Sequence, residues 1–325
     1  MRSHAIRIHE TGGPDKFKWE EVEVGEPGKG EILLRQTAVG LNFIDVYHRT
    51  GLYKVPLPSG IGSEGAGVVE KVGPGVTELK PGDRVAYASG PLGSYAEARL
   101  YPAERAIKLP DGISDRQAGA MMLQGMTVEY LVRRTYPVKA GQTVLLHAAA
   151  GGVGLIASQW LKHIGATVIG TAGGPEKMAL AKAHGCDHVI DYHKEDVAKR
   201  VRELTGGKGV PVAYDSVGKD TFQATLDSLS PRGMFVSFGN SSGPVPAFEP
   251  IILSAKGSLY ITRPTLMAYV ATREDLVQSA AALFDVVLKG AVKIEINQTY
   301  PLKEAAQAHR DLEARMTTGS TILLP

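Results

Sequence analysis

A single cysteine, Cys186, is all that 325 residues contain. That excludes an intramolecular disulfide framework and any zinc site built from several thiolates. With no partner thiol, the chain suits a reducing compartment. Charge of one sign is also scarce: 36 Lys and Arg face 34 Asp and Glu, a net of +2. So small an excess provides no basic stripe for nucleic acid and no bulk attraction to an acidic surface. Long hydrophobic runs are missing as well. The longest, residues 143–161, is interrupted by His147, Gln159 and three glycines, and it falls short of the roughly 20 apolar residues of a spanning helix. The opening Met1-Arg2-Ser3-His4-Ala5-Ile6-Arg7 has no signal-peptide core. A soluble, cytoplasmic protein with no membrane and no nucleic-acid partner is expected. What is present is 43% hydrophobic and 22% charged, enough to build a large core and exclude wholesale disorder. At roughly 100–200 residues per domain, the length suggests two.

The 38 glycines are unevenly spread. Between Gly51 and Gly93 they recur every few residues around short β-branched runs, such as Gly67-Val68-Val69-Glu70-Lys71-Val72 and Asp83-Arg84-Val85-Ala86-Tyr87. Short runs with frequent turn residues predict an all-β region with tight corners, a small barrel. Near Ser114 the pattern changes. Apolar residues fall at helical spacing from Asp115 to Arg134, with Ser114 or Asp115 as N-cap. Strands at 143–147, 167–171, 188–190 and 212–215 then alternate with helices at 153–164, 176–184, 195–205 and 221–229, and strands at 234–238 and 258–261 follow. The alternation predicts βαβ units and a doubly wound parallel sheet. A helix at 273–289, a strand at 293–297, a helix at 302–315 and a strand at 321–324 make a tail too short for its own domain. It is expected to fold back onto the N-terminal β region and close a cleft between two lobes. The fold class is therefore α/β, with a β-rich domain at 1–122, completed by 268–325, and a Rossmann domain at 123–267.

The strongest chemical signal runs from Thr143 to Leu155: a buried strand, the small-residue turn Ala148-Ala149-Ala150-Gly151-Gly152-Val153-Gly154, then an amphipathic helix. Glycine there lets the backbone approach a pyrophosphate, and the helix N-terminus supplies unpaired N–H groups and a positive dipole. Alanine fills the first glycine slot of the usual pattern, but the strand–turn–helix context is the one the mechanism requires. In NAD-binding versions an acidic residue about 20 positions on grips the ribose 2′-hydroxyl. Here the second strand ends Thr171-Ala172-Gly173-Gly174-Pro175-Glu176-Lys177, with no carboxylate at its tip and a lysine on the next helical turn. Space and a cation in place of an anion suit the 2′-phosphate of NADPH.

Motifs along the whole chain resemble the quinone oxidoreductase (zeta-crystallin-like) branch of the medium-chain dehydrogenase/reductase superfamily. They include Asn42-Phe43-Ile44-Asp45, Gly62-Ser63-Glu64-Gly65-Ala66-Gly67, Pro81-Gly82-Asp83-Arg84-Val85, the Ala148–Gly154 turn, Asp215-Ser216-Val217-Gly218, Phe238-Gly239-Asn240-Ser241-Ser242-Gly243 and Thr262-Arg263-Pro264. The resemblance implies a GroES-like β domain beside the Rossmann domain, usually in a homodimer. The zinc alcohol dehydrogenases of the superfamily place metal ligands and a relay hydroxyl where this chain holds Asn42, Ser63, Leu123 and Ile44. None of these can rebuild a tetrahedral zinc site, so no metal is expected. Without a Lewis acid, alcohol–ketone interconversion loses several kcal/mol of transition-state stabilisation. A quinone, which delocalises the incoming charge itself, needs less help, and this fits the family's NADPH-dependent quinone reduction.

Residue by residue, the resemblance places Gly151, Gly152 and Val153 under the pyrophosphate, and Gly173, Lys177, Tyr192 and Arg315 around the 2′-phosphate and its ribose. Ser216 falls near the adenosine, Phe238, Asn240 and Ser241 at the nicotinamide side, and Arg263, Pro264 and Leu266 at the nicotinamide amide. Tyr130 lines the cofactor groove. Asn42 faces cofactor and substrate, and Asp45, Tyr47 and Tyr53 complete the substrate loop. From the residues alone, Tyr47 and Tyr53 serve equally well as packing, Tyr192 as a half-exposed loop residue and Arg315 as a helix-surface residue; His147 reads as a satisfied core histidine. No catalytic acid is assigned. The alternatives are an alkenal or enone reductase using the same cofactor, and a non-catalytic nucleotide- or RNA-binding crystallin-like protein.

Overall fold

Six parallel strands form the sheet of one unit in the computed structural model, which describes residues 1–325. Across the sheet they run His188–Asp191, Thr167–Ala172, Thr143–Leu146, Val210–Asp215, Leu229–Ser237 and Tyr260–Thr262. Counted along the chain, that is third, second, first, fourth, fifth, sixth, the doubly wound order whose switch point lies beside the first strand. Leu145, Ile169, Ala213 and Phe235, from four adjacent strands, are fully buried in its core. The unit comprises Thr127–Ala268 and Lys289–Lys293.

The other unit comprises Met1–Met126, Tyr269–Leu288 and Ile294–Pro325. Its larger sheet orders Ile296–Pro301, Ser320–Leu324, Glu31–Leu41, Glu64–Val72, Arg84–Ala88 and Ile107–Lys108, and Ala98–Pro102 also pairs with Glu31–Leu41. A smaller sheet holds Lys18–Glu23, Arg2–Ile8 and Ser59–Gly60. The C-terminal tail is built into this unit. Thr321 pairs with Leu41 and Leu323 with Val39, and Leu302, Ala305 and Ala308 share a core with Ile8, Ile61 and Tyr95.

Ser114 caps the helix Asp115–Tyr130: its hydroxyl accepts from Gln117 N at 3.2 Å, and Gln117 Oε1 accepts from Ser114 N at 3.1 Å. That helix does not run on to Arg134 in α form. Residues Leu131–Thr135 widen into a π turn, closed by Tyr136 N donating to Leu131 O at 3.2 Å. The fifth parallel strand starts earlier than the sequence suggests, at Leu229. Leu229 pairs with Val210, an irregularity follows, and pairing resumes at Met234; Pro231, left-handed Arg232 and Gly233 disguise the first part as a turn. The tail strand begins at Ile296, and the last helix stops at Glu313.

Candidate functional site

The candidate substrate loop is organised by Asn42, which precedes the helix Phe43–Thr50. Asp45 Oδ2 accepts from Asn42 N at 3.0 Å, which fixes the first helical turn. The Asn42 carboxamide is held on both sides: Nδ2 donates to Glu64 Oε2 at 2.7 Å, and Oδ1 accepts from Gln124 Nε2 at 3.1 Å. Glu64 Oε1 accepts from Leu123 N at 2.8 Å, and Ser320 Oγ donates to Gln124 Oε1 at 2.8 Å. Glu64 and Asp45 are both 0% exposed. Burial pushes the Glu64 carboxyl up to about 8, against the donors from Asn42 and Leu123. It pushes Asp45 up to about 7, against those from Asn42, Tyr95 and Ser63. Tyr47 and Tyr53 pack edge to face, centroids 5.2 Å apart, and Tyr53 N donates to Tyr47 O at 3.0 Å. Thus Asn42, Asp45, Tyr47 and Tyr53 share one neighbourhood.

Behind Asp45 runs a chain of hydrogen bonds whose direction chemistry fixes. A guanidinium only donates, so His309 Nδ1 accepts from Arg49 Nη1 at 3.1 Å. His309 Nε2 therefore carries the proton and donates to the Tyr95 hydroxyl at 3.0 Å, and Tyr95 donates to Asp45 Oδ2 at 3.0 Å. Burial and the adjacent Arg49 hold His309 well below the usual imidazole range. Arg49 is itself clamped by two bonds to Glu313, at 2.9 and 2.8 Å. A guanidinium does not release protons at ordinary pH, so this chain orients Asp45 and does not import protons.

In the parallel-sheet unit, Ala148 takes a left-handed φ of 53° to turn the chain into the helix Gly152–Ile164. No side chain caps that helix at Gly151, so its first N–H groups point outward as anion donors. Gly154 is obligatory: a Cβ there would be driven into the Ala148 carbonyl and lie 2.7 Å from Ala149 Cα. At Gly151 a Cβ would meet only Ala148 O, at 3.3 Å, a tight contact that a shift of a few tenths of an ångström relieves. Both glycines, with Gly152 and Val153, thus form a cradle that fits a dinucleotide pyrophosphate.

At the tip of the second strand, Gly173 lies under two polar groups. A Cβ there would fall 2.6 Å from the Tyr192 hydroxyl and 2.7 Å from His193 Nε2. Lys177 follows on the helix Pro175–Ala183. Sequence reasoning overlooked a nearby acid, Asp191, at the end of the next strand. Its Oδ1 accepts from His193 N at 3.1 Å and Gly174 N at 3.5 Å, and these bonds, the one to His193 foremost, lower its pKa. One carboxylate oxygen is spent on backbone N–H groups, and the other lies 3.8 Å from Lys194 Nζ.

The remaining candidates surround a second buried chain. Asp215 Oδ1 accepts from Val217 N and Gly218 N at 2.7 and 3.1 Å, which shapes the Ser216 loop. Ser241 N donates to Ser216 O at 3.2 Å and Phe238 N to Asp215 O at 2.8 Å, so Ser216, Phe238, Asn240 and Ser241 lie on two loops zipped together. Asp215 Oδ2 takes the Thr225 hydroxyl proton at 2.8 Å. Consequently His147 Nε2 donates to Thr225 Oγ1 at 3.0 Å, and its Nδ1 accepts from Thr171 Oγ1 at 3.2 Å. His147 is thus a satisfied core histidine, and burial lowers its pKa. Tyr130 is buried within the same unit. Pro264 and Leu266 are buried after the last strand, and Arg263 Nη1 donates to Pro264 O at 3.2 Å. Arg315 stands apart from this group in sequence and unit: it is exposed, in the unit that holds the N-terminal strands, at a left-handed φ of 59° just past the helix Ala305–Glu313.

Residues 28–111 match the alcohol dehydrogenase GroES-like domain family, and residues 152–284 match the zinc-binding dehydrogenase family. The second name implies zinc, and the side chains here do not fit it. Asn42 is engaged by Glu64 and Gln124, Leu123 has no donor atom, and no group of three or more His, Cys, Asp or Glu could hold a metal ion. The chain is 56% identical over 321 residues to a quinone oxidoreductase of Pseudomonas aeruginosa, covering 98% of this chain and 99% of that one. It is 49% identical over 331 residues to a 2-haloacrylate reductase of a Burkholderia species, covering 99% and 98%. The crystal structure of Escherichia coli quinone oxidoreductase complexed with NADPH superposes with a TM-score of 0.98 at 49% identity, covering 99% of this chain and all of that one. By this likeness over nearly its full length, the chain belongs to the quinone oxidoreductase family of the medium-chain dehydrogenases and reductases.

Proposed function

We propose that this chain is an NADPH-dependent quinone reductase that works without a metal. The observation that carries the reading is the pairing of an uncapped dinucleotide turn, followed by a strand tip with glycine in place of an acid, with a substrate loop whose metal-ligand positions hold Asn42, Ser63 and Leu123. NADPH, which the Escherichia coli relative binds, supplies hydride when bound.

The chain's own residues bind and orient. The backbone of Gly151, Gly152 and Val153 holds the pyrophosphate. Lys177 and Tyr192 hold the 2′-phosphate beside Gly173, and Ser216 lies along the adenosine. Phe238, Asn240 and Ser241 flank the nicotinamide, Arg263, Pro264 and Leu266 fix its amide, and Tyr130 lines the groove. One Asn42 amide hydrogen is spent on Glu64; the second donates to a substrate oxygen. Tyr47 and Tyr53 supply ring faces for a flat substrate. A quinone spreads the incoming negative charge over its ring and second oxygen, and solvent supplies the proton.

The test is a panel of quinones and enones with NADPH, scored by kcat/KM. Quinone turnover far above enone turnover supports the reading. The reverse order would instead make the chain an enone reductase, closer in chemistry to its 2-haloacrylate-reducing relative.

A homodimer in the cytoplasm completes the proposal. The strand Tyr260–Thr262 is the outer edge of the parallel sheet, and Tyr260 is 58% exposed. An open β edge invites pairing with its own copy, and light scattering at micromolar concentration reads the mass. No helix is long and apolar enough to cross a membrane. The lone buried thiol of Cys186 suits a reducing compartment.

A further inference from the structure

Asn42 follows the strand Glu31–Leu41, and its carboxamide turns about a terminal torsion that has no sharp staggered wells. The bond from Nδ2 to Glu64 Oε2, at 2.7 Å, holds one end of the amide and leaves the other to swing. Gln124 Nε2 donates to Asn42 Oδ1 at 3.1 Å and closes that second end. The Gln124 carboxamide has the same freedom, and Ser320 Oγ removes it by donating to Oε1 at 2.8 Å. All four side chains are buried.

Two remote segments deliver these partners. Gln124 lies on the helix Asp115–Tyr130, which seats closely against the strand Glu31–Leu41: a Cβ at Gly119 would fall 2.8 Å from that of Ala38. Ser320 opens the C-terminal strand, whose antiparallel register sets Thr321 opposite Leu41 and so Ser320 level with Asn42. Ser320 N donates to Glu295 O at 2.8 Å, which holds the start of that strand. The hydrogen bonds of the Gln124 and Ser320 side chains all lie on this one chain leading to Asn42.

We propose that Gln124 and Ser320 are positioning residues for quinone reduction, locking the Asn42 carboxamide so that its second Nδ2 hydrogen stays aimed at a substrate oxygen. The inference rests on the reading that Asn42 donates to the substrate. A donor already fixed in place needs no reorganisation as negative charge develops on the quinone oxygen. With the amide free to swing, the same charge meets a donor that must first be ordered, so the loss falls on kcat.

The test measures kcat and KM for a para-quinone at saturating NADPH, with the NADPH Kd from fluorescence titration and the urea midpoint of each protein. The proteins are wild type, Asn42→Ala, Gln124→Met and the double variant. Gln124→Met is expected to lower kcat about 3- to 10-fold, the scale of one hydrogen bond, and to leave the NADPH Kd unchanged. Asn42→Ala lowers kcat at least as much. In the Asn42→Ala background Gln124→Met lowers the urea midpoint but changes kcat no further, because the two residues act as one unit. Ser320→Ala, which removes a single hydroxyl, repeats the pattern with a smaller loss, about 2-fold. It decides the question by the same comparison if Gln124→Met does not fold. Equal fold losses of kcat in both backgrounds would show that Gln124 acts on the fold and not through Asn42; the inference is then wrong, and the role of Asn42 stands. A wild-type kcat in Asn42→Ala would remove the underlying reading and the inference with it.

Discussion

Tyr95 donates its hydroxyl proton to Asp45, 50 residues earlier in the chain, at 3.0 Å, and receives the Nε2 proton of His309 at 3.0 Å. Both contacts are buried. Through them the C-terminal helix Ala305–Glu313 is tied to the turn that holds Asn42 in place. Tyr95→Phe keeps the ring and removes the link, leaving the His309 N–H and one Asp45 lone pair without partners. The expected loss is about 1–3 kcal/mol. It should appear as a lower urea midpoint at unchanged m-value, and a midpoint equal to wild type would show the link to be energetically idle.

Burial raises the Asp45 pKa to about 7 and the Glu64 pKa to about 8, from ordinary values of 3.8 and 4.5. Between those limits the folded chain binds more protons than the unfolded chain, so stability falls as pH rises. These carboxyls cost nothing below about pH 4, and their full penalty is in place above about pH 8. Glu64→Gln removes one titration, so its stability relative to wild type should climb as pH rises through that window. Denaturation series at several pH values read this slope. A difference that stays constant with pH would mean that Glu64 is ionised throughout.

Thr225 stands between Asp215 and His147. Thr225→Val removes the hydroxyl at constant shape and leaves His147 Nε2–H with no acceptor, at a cost of about 1–3 kcal/mol. The chain joins the Ala148 turn to the Ser216 loop, since Ala148 N donates to Thr171 Oγ1 at 3.3 Å and Asp215 shapes the loop. NADPH and NADH binding should therefore weaken in equal proportion, as measured by titration. A loss confined to NADPH would place the effect at the 2′-phosphate instead.

Two glycines of the same turn should respond differently to alanine. At Gly154 the new Cβ meets backbone, with Ala149 Cα at 2.7 Å; at Gly151 it meets only Ala148 O at 3.3 Å. Gly154→Ala should lower the melting temperature sharply or prevent folding. Gly151→Ala should melt near wild type yet raise KM for both cofactors, because the methyl intrudes where the pyrophosphate approaches. The reverse pattern would mean the turn has been read in the wrong orientation.

The parallel-sheet unit was legible because each of its strands and helices carries its own period, and the Ala148–Gly154 turn announces itself by composition. The π turn at Leu131–Thr135 was not, since it leaves the spacing of apolar residues unchanged. Pro231 and Gly233 hid the start of the strand Leu229–Ser237 for the opposite reason, because they look like a turn inside a real pairing. In the candidate substrate loop, Asn42, Asp45, Tyr47 and Tyr53 were close in sequence and are close in space. Tyr95 and His309 are not: they lie 214 residues apart, and no local pattern reports a contact of that range.

The central claim is quinone reduction by NADPH with no metal. Its most direct test is the rate of NADPH oxidation by a para-quinone, measured in purified protein whose metal content has been assayed before and after treatment with a strong chelator. The expected result is rapid, saturable turnover that is unchanged by chelation, with no stoichiometric zinc in the protein. Turnover that vanishes on chelation and returns with added zinc would contradict it.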